Sequence, residues 1–353
     1  MPHSDSAPRA LWDGGPRVSA LGFGCYRIDD RIPRHPEALS HALGSGVNLI
    51  DTSTNYGDGH SEILVGAVLA EALAAGSLRR EDVVIVTKAG YVQGGNQEEA
   101  IQRMGEGRPW PEMTEYSPDC WHCISPEFLA DQLSYSLERL RLPSVDVLLL
   151  HNPEYFLQDA EHRGQARDEA RREFYRRIAH AFTHLEKEVV AGRIRAYGIS
   201  SNTFVVPHDQ YDAVSLVRVL EHGGKGLKVI QLPLNPIETG AMQGIHTPDG
   251  KSVLDVASGA GLGVLVNRPF NAFGEQGLVR FAPVDWKAPR NWRMFGGESS
   301  QAEALEKARV KEMENYLTGR FGDVGAGTVS QKTIRFLLRQ KGVTAVLAGM
   351  REK

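Results

Sequence analysis

Cysteine is scarce in this chain, with three in 353 residues. That odd, low count supports no disulfide framework and favours a reducing compartment. Long uncharged apolar runs are missing too, so no segment is expected to span a bilayer. Residues 1–10 are polar and lack the apolar core of a secretory leader. Positive charge is not in excess: the formal net charge is −4, which argues against nucleic acid as a partner. Absent as well is a Gly-x-Gly-x-x-Gly fingerprint after a first strand, which removes the Rossmann type of dinucleotide site. What remains, 41% hydrophobic and 24% charged, is the composition of a water-soluble globular chain, with cytoplasm as the expected compartment.

Short apolar runs that end abruptly in a polar group organise the sequence. Residues 47–51, V-N-L-I-D, deliver Asp51; residues 83–88, V-V-I-V-T-K, deliver Lys88; residues 145–151, V-D-V-L-L-L-H, deliver His151. Each reads as a buried strand with a functional group at its C-terminal end. Tyr56 follows Asp51 in the polar loop T-S-T-N-Y-G-D-G, ahead of a helix over 61–75. Further strands are expected at 18–24, 194–200, 228–232, 263–267 and 342–348. Helices are expected at 36–44, 126–140 and 170–191, the second opened by Ser125 as N-cap and Pro126 at its first position, the third stopped by Gly192. This alternation is that of βαβ units in a parallel sheet. Nothing marks a linker, so residues 1–353 are read as one domain, with residues 1–11 as a loose arm.

In a parallel α/β barrel the C-terminal strand edge is where catalytic groups collect. A bare ion pair would account for Asp51 and Lys88 alone; four polar groups at or just past equivalent strand ends point to a site. A free phenol is a poor acid at neutral pH. An ammonium beside Tyr56 is expected to lower its pKa, with Asp51 holding Lys88 charged, and His151 can donate a hydrogen bond to a carbonyl oxygen. Such a set moves a proton but supplies no electrons, so a hydride donor is required.

The pattern D-T-S-T-N-Y-G followed by S-E, then V-T-K and L-L-L-H-N, resembles the aldo-keto reductase superfamily, and the likeness runs from residues 21–24 to 346–349. The resemblance implies a (β/α)8 TIM barrel with NADP(H) as cofactor, reducing an aldehyde or ketone or oxidising the alcohol. By the same likeness Tyr56 is the general acid/base, tuned by Lys88 and Asp51, and His151 orients the substrate. Ser201 and Asn202 after the fifth strand and Gln231 in the sixth match the family's carboxamide-binding positions. Two departures stand out. Where much of the family ends strand seven in a stacking tyrosine, this chain has Asn267, with Arg268 next to it expected to reach the pyrophosphate. Gly349 and Arg351 match the start of the loop that binds the 2′-phosphate, and the sequence stops at Lys353, a shortened C-terminus. A partner or the residues between 301 and 340 would then cover the opening, or cofactor binding would be weak.

Three long loops, at 91–124, 151–168 and 271–300, should lie on the catalytic face. Their aromatics, including Trp110, Tyr155, Phe156, Trp286, Trp292 and Phe295, suit a bulky or partly apolar small-molecule substrate, or else pack together to hold the loops down. Cys120, His122 and Cys123 in D-C-W-H-C are metal-type ligands, but adjacent ligands crowd one ion and no fourth stands at a usual spacing, so no metal is expected. Two other readings of the same residues stay open: a nucleotide-binding regulatory subunit of this fold, and a biosynthetic enzyme using the tetrad for a redox-neutral step such as dehydration. An oligomer is possible.

Overall fold

The computed structural model describes residues 7–274, 277–281 and 299–352. Eight parallel strands close on themselves: β1 (Leu21–Gly24), β2 (Leu49–Asp51), β3 (Val84–Ala89), β4 (Val145–His151), β5 (Ile194–Ser200), β6 (Leu227–Pro233), β7 (Gly263–Asn267) and β8 (Ala345–Ala348). Neighbours in sequence pair in space, and β8 returns to β1 with Val346 opposite Leu21. This is the (β/α)8 barrel that the resemblance implied, built from the βαβ units expected from the alternation. Among the described residues no helix is long and apolar enough to cross a membrane.

Strand alternation sorts side chains into two layers. Leu49, Val84, Val86, Val147, Leu149, Ala196, Val229 and Leu265 fill the barrel interior. Their neighbours Ile50, Ile85, Leu148, Leu150, Ile199, Ile230 and Val266 pack outward with residues of the surrounding helices. Two positions beyond the last interior apolar residue, the same period carries Asp51, Lys88, His151, Gln231 and Asn267 to the inner rim. The functional edge is thus a consequence of register.

Residues 9–11 are not a loose arm. Arg9–Ala10 pairs antiparallel with Arg17–Val18, and Leu11 and Val18 are fully buried with the interior layer. The hairpin closes the end of the barrel opposite the site, where an open interior would expose apolar side chains. For that reason the expected first strand, 18–24, divides between the hairpin and β1.

The helix Pro126–Leu140 starts as its sequence predicts: Ser125 Oγ accepts from Phe128 N at 3.3 Å, Pro126 follows, and Arg141 at φ 55° ends it. It packs against the helix His60–Ala74, whose Glu62 is fully buried and accepts from Arg139 Nε at 2.7 Å and from Thr87. The two backbones approach closely at Gly66, where a Cβ would lie 2.3 Å from Arg139 O.

Two of the long loops carry structure that their sequences hid. Residues 91–124 contain a helix, Gly95–Gly105, and a three-stranded antiparallel sheet of Tyr91–Val92, Cys120–His122 and Thr114–Ser117. The helix buries only Ala100, so its apolar period is too weak to see. Residues 151–168 contain the helix Tyr155–His162. In the third, Asn271–Gly274 and Gly277–Arg280 form a hairpin; Trp286, Trp292 and Phe295 lie outside the described residues. The helix Ser299–Phe321 leans on the catalytic side, with Tyr316 donating to Pro236 O at 3.1 Å.

Replacing Gly66 by alanine would normally strengthen a helix. Here the added methyl meets backbone, and overpacking should win, with a net loss of about 1–3 kcal/mol. A lower denaturant midpoint at unchanged slope is the expected result.

Candidate active site

The chain after Asp51 does not leave the sheet at once. Thr52 N donates to Val86 O at 2.8 Å and Thr54 N to Lys88 O at 3.0 Å, so the loop runs on beside β3. It then turns through Gly57, Asp58 and Gly59, all at positive φ. Glycine tolerates that region without strain, and aspartate tolerates it better than most residues. The turn holds Tyr56 over Lys88. Lys88 Nζ donates to Asp51 Oδ2 at 2.9 Å, to Thr52 O at 2.7 Å and to the Tyr56 hydroxyl at 3.1 Å. Lys88 is fully buried and Asp51 nearly so.

Burial pulls the Lys88 ammonium down, but Asp51 and Tyr56 outweigh it and hold the group above its ordinary value. Burial raises the Asp51 carboxyl against the pull of Lys88. The pair stays ionised because Asp51 also accepts from Gln231 Nε2 at 2.7 Å, while Lys88 faces only acceptors. For Tyr56 the structure corrects the sequence expectation. Burial pushes the phenol up to about 12; Lys88 pulls it down, but not below its ordinary value. The phenol therefore stays protonated at neutral pH, ready to donate.

His151 is buried and its ring lies edge-on to Tyr56, with centroids 5.9 Å apart. Burial, then Lys88, then His122 hold its pKa well below the ordinary value, so the imidazole is neutral. Nδ1 lies 3.0 Å from Ser53 Oγ. That hydroxyl has one proton and also lies 2.8 Å from Asn55 Oδ1, so given to Nδ1 it leaves the ring proton on Nε2 as a donor, and given to Asn55 it leaves the ring proton on Nδ1.

The D-C-W-H-C segment has a structural role. His122, buried and held near 4 by desolvation, donates from Nε2 to the His151 carbonyl at 2.7 Å. Cys123 is buried against Pro111 O and Ser125 Oγ. The segment thus braces the end of β4. Trp110 also belongs to packing: it is buried edge-on to Phe128, donates to Asp131 at 2.8 Å and lies under the Arg103 guanidinium. The aromatics beside the site are Tyr91, edge-on to His151 at 4.7 Å, Tyr155 next to it, and the exposed Tyr26, edge-on to Tyr56 at 5.2 Å.

The residues matched to cofactor binding converge only in part. Gln231 sits beside Asp51, and its Oε1 accepts from Ser200 Oγ at 3.1 Å and Asn267 Nδ2 at 3.3 Å. Ser201 is buried and Asn202 exposed at the adjoining rim. Asn267 Oδ1 is buried with no partner among the described residues. Amide and hydroxyl groups with an acceptor to spare fit a carboxamide. Arg268 forms an ion pair with Glu238 at 3.2 Å, so contact with a phosphate would exchange one anion for another. Gly349 and Arg351 are exposed beyond β8, near the helix Arg34–Gly44, with Glu352 3.5 Å from Arg34.

The sequence reading missed Glu154. It is 2% exposed, and its Oε1 accepts from Asn202 N at 2.7 Å and Asn152 Nδ2 at 3.0 Å. An acid three residues past His151 was the available signal, but nothing local shows that it turns inward. Ser53 and His122, which support His151, were equally invisible as partners because they come from other loops.

Gly90 follows β3 at the closest approach of these supports. A Cβ there would lie 2.5 Å from His151 O and 2.7 Å from His122 Nε2. Gly90→Ala should displace His151 and lower kcat/KM by about 100-fold, the scale of a 1 Å misplacement. Steady-state kinetics beside an unchanged circular dichroism spectrum would check this.

The profile of the aldo/keto reductase family matches residues 20–270. NADH-specific methylglyoxal reductase of Escherichia coli (strain K12) is 30% identical over 128 residues, 35% of this chain and 34% of that protein. D-threo-aldose 1-dehydrogenase of Pseudomonas sp is 28% identical over 192 residues, 53% of this chain and 51% of that protein. The matched segments thus span about a third and about half of these relatives. The holo form of an aldo-keto reductase from Bacillus halodurans superposes with a TM-score of 0.58 at 17% identity, covering 98% of this chain and 87% of that one. A glycerol dehydrogenase from Gluconobacter oxydans gives 0.57 at 20% identity, covering 99% and 87%. With the barrel, the rim tetrad and the family profile in agreement, the chain belongs to the aldo/keto reductase family.

Proposed function

We propose that this protein is an NADP(H)-dependent oxidoreductase that reduces an aldehyde or ketone, or oxidises the corresponding alcohol, with Tyr56 as general acid/base. The reading is carried by the contact of Lys88 Nζ with both the Tyr56 hydroxyl and the Asp51 carboxylate. NADP(H), when bound, supplies the hydride. Ser201, Asn202, Gln231 and Asn267 hold its carboxamide end, and Arg268, Gly349 and Arg351 serve its phosphates. In reduction, Tyr56 gives its proton to the carbonyl oxygen as charge builds there. The phenolate left behind faces the ammonium 3.1 Å away, which stabilises it without desolvating anything new. Asp51 and Thr52 O fix that ammonium, and neutral His151 orients the carbonyl by hydrogen bonding. Tyr26 and Tyr91, flanking Tyr56 and His151, favour a substrate with an apolar or aromatic portion.

Mixing the protein with NADPH and a panel of aldehydes, and following cofactor absorbance, tests the activity. Tyr56→Phe should lower kcat by about 100- to 10,000-fold, the range for general acid–base catalysis, with cofactor affinity retained. Unaltered turnover would remove Tyr56 from the mechanism.

The pH dependence follows from the phenol at about 12. Reduction needs the protonated form, so its kcat/KM should be flat from about pH 6 to about pH 9. Oxidation needs the phenolate and should rise through the same interval. Initial rates in both directions, in buffers of constant ionic strength, give the comparison.

A further inference from the structure

We infer that Glu154 is a positioning residue: its carboxylate ties the turn after β5, at Ser201 and Asn202, to the loop behind His151, and so sets the seat of the cofactor's carboxamide. The inference rests on the reading of Ser201, Asn202 and Gln231 as that seat.

The geometry is specific. One oxygen of Glu154 bridges two loops, taking Asn202 N from the turn after β5 and Asn152 Nδ2 from the loop after β4. The Ser201 hydroxyl and the Glu154 backbone N–H face the same carboxylate. Asn152 sits at φ 54°, and its own N–H donates to Ser200 O at 2.7 Å, so a second bond ties the same two strand ends. The other oxygen, Oε2, is buried with no partner among the described residues.

A buried carboxylate is costly unless it is paired, and among the described residues no cation pairs with it. The nearby titratable groups are the phenols of Tyr155 and Tyr91, both neutral at physiological pH. A glutamine would satisfy the same donors at less desolvation cost. A carboxylate differs by making charge-assisted hydrogen bonds, which are shorter and stronger than neutral ones. Burial raises its pKa to about 7, against the pull of the Asn202, Ser201 and Asn152 hydrogen bonds. The sign follows: above that value the ionised carboxylate holds both loops firmly, and below it the neutral acid holds them weakly.

The test measures NADPH dissociation constants by fluorescence quenching, from about pH 6 to about pH 8.5, for the wild type, Glu154→Gln and Asn202→Ala. Taking the variant to wild-type ratio cancels the titration of the cofactor's own phosphates. For Glu154→Gln the ratio should stay near unity at the acid end and rise to about five-fold at the alkaline end, with the carbonyl KM unmoved. Asn202→Ala should weaken binding at every pH. If Asn202→Ala weakens binding while Glu154→Gln follows the wild type throughout, the positioning role is overturned and the seat stands. If Asn202→Ala changes nothing, the seat is misassigned and the inference falls with it. Should Glu154→Gln not fold, the wild type alone decides with NADH, which lacks the 2′-phosphate: an affinity step near pH 7 supports the role, and a flat profile sinks it.

Discussion

A lysine ammonium with no exposure to water sits at the centre of this molecule. Taking such a charge out of solvent costs several kcal/mol, and only close, well-directed partners repay it. Lys88 has three: a carboxylate, a carbonyl and a phenol oxygen. Each comes from the end of β2 or the loop after it, so the register of β2 against β3 and the turn at residues 57–59 must both be right. Removing Asp51 would leave the charge uncompensated, a loss of about 3–5 kcal/mol. The fold and the chemistry share one contact.

Around that contact the supports form a shell of backbone and neutral polar groups. Ser53 holds one nitrogen of His151, and His122 holds its carbonyl. Gln231 passes between Asp51 and Asn267, linking the proposed proton-handling side of the rim to the proposed cofactor side. Because neutral groups do this work, Lys88, Asp51 and Glu154 remain the charges on which the local electrostatics turn. Burial then decides protonation: Tyr56 keeps its proton and His151 has none to spare beyond the neutral tautomer.

The barrel strands were legible because parallel strands covered on both faces read as continuous apolar runs. Three of the four catalytic candidates, Asp51, Lys88 and His151, were legible because each stands where such a run breaks off, and Tyr56 because it follows one of them in a short polar loop. The insert at 91–124 was not, since its helix is polar on nearly every face and its strands are two to four residues long. Trp110 was legible as an aromatic that either faces a substrate or packs, and its partners Phe128 and Asp131, which belong to the next helix, decide for packing. The N-terminal hairpin was lost for a similar reason. Leu11 makes sense as a core residue only once the barrel has an open end to be closed.

By itself, the sequence determined the number and order of the barrel strands and the polar residues at or beside their ends, since alternation and polar termination are properties of short segments. Tertiary structure alone decided the protonation of Tyr56, the inward turn of Glu154 and the use of His122 as a brace. Those depend on desolvation and on partners 29 to 48 residues away along the chain, which no local pattern encodes.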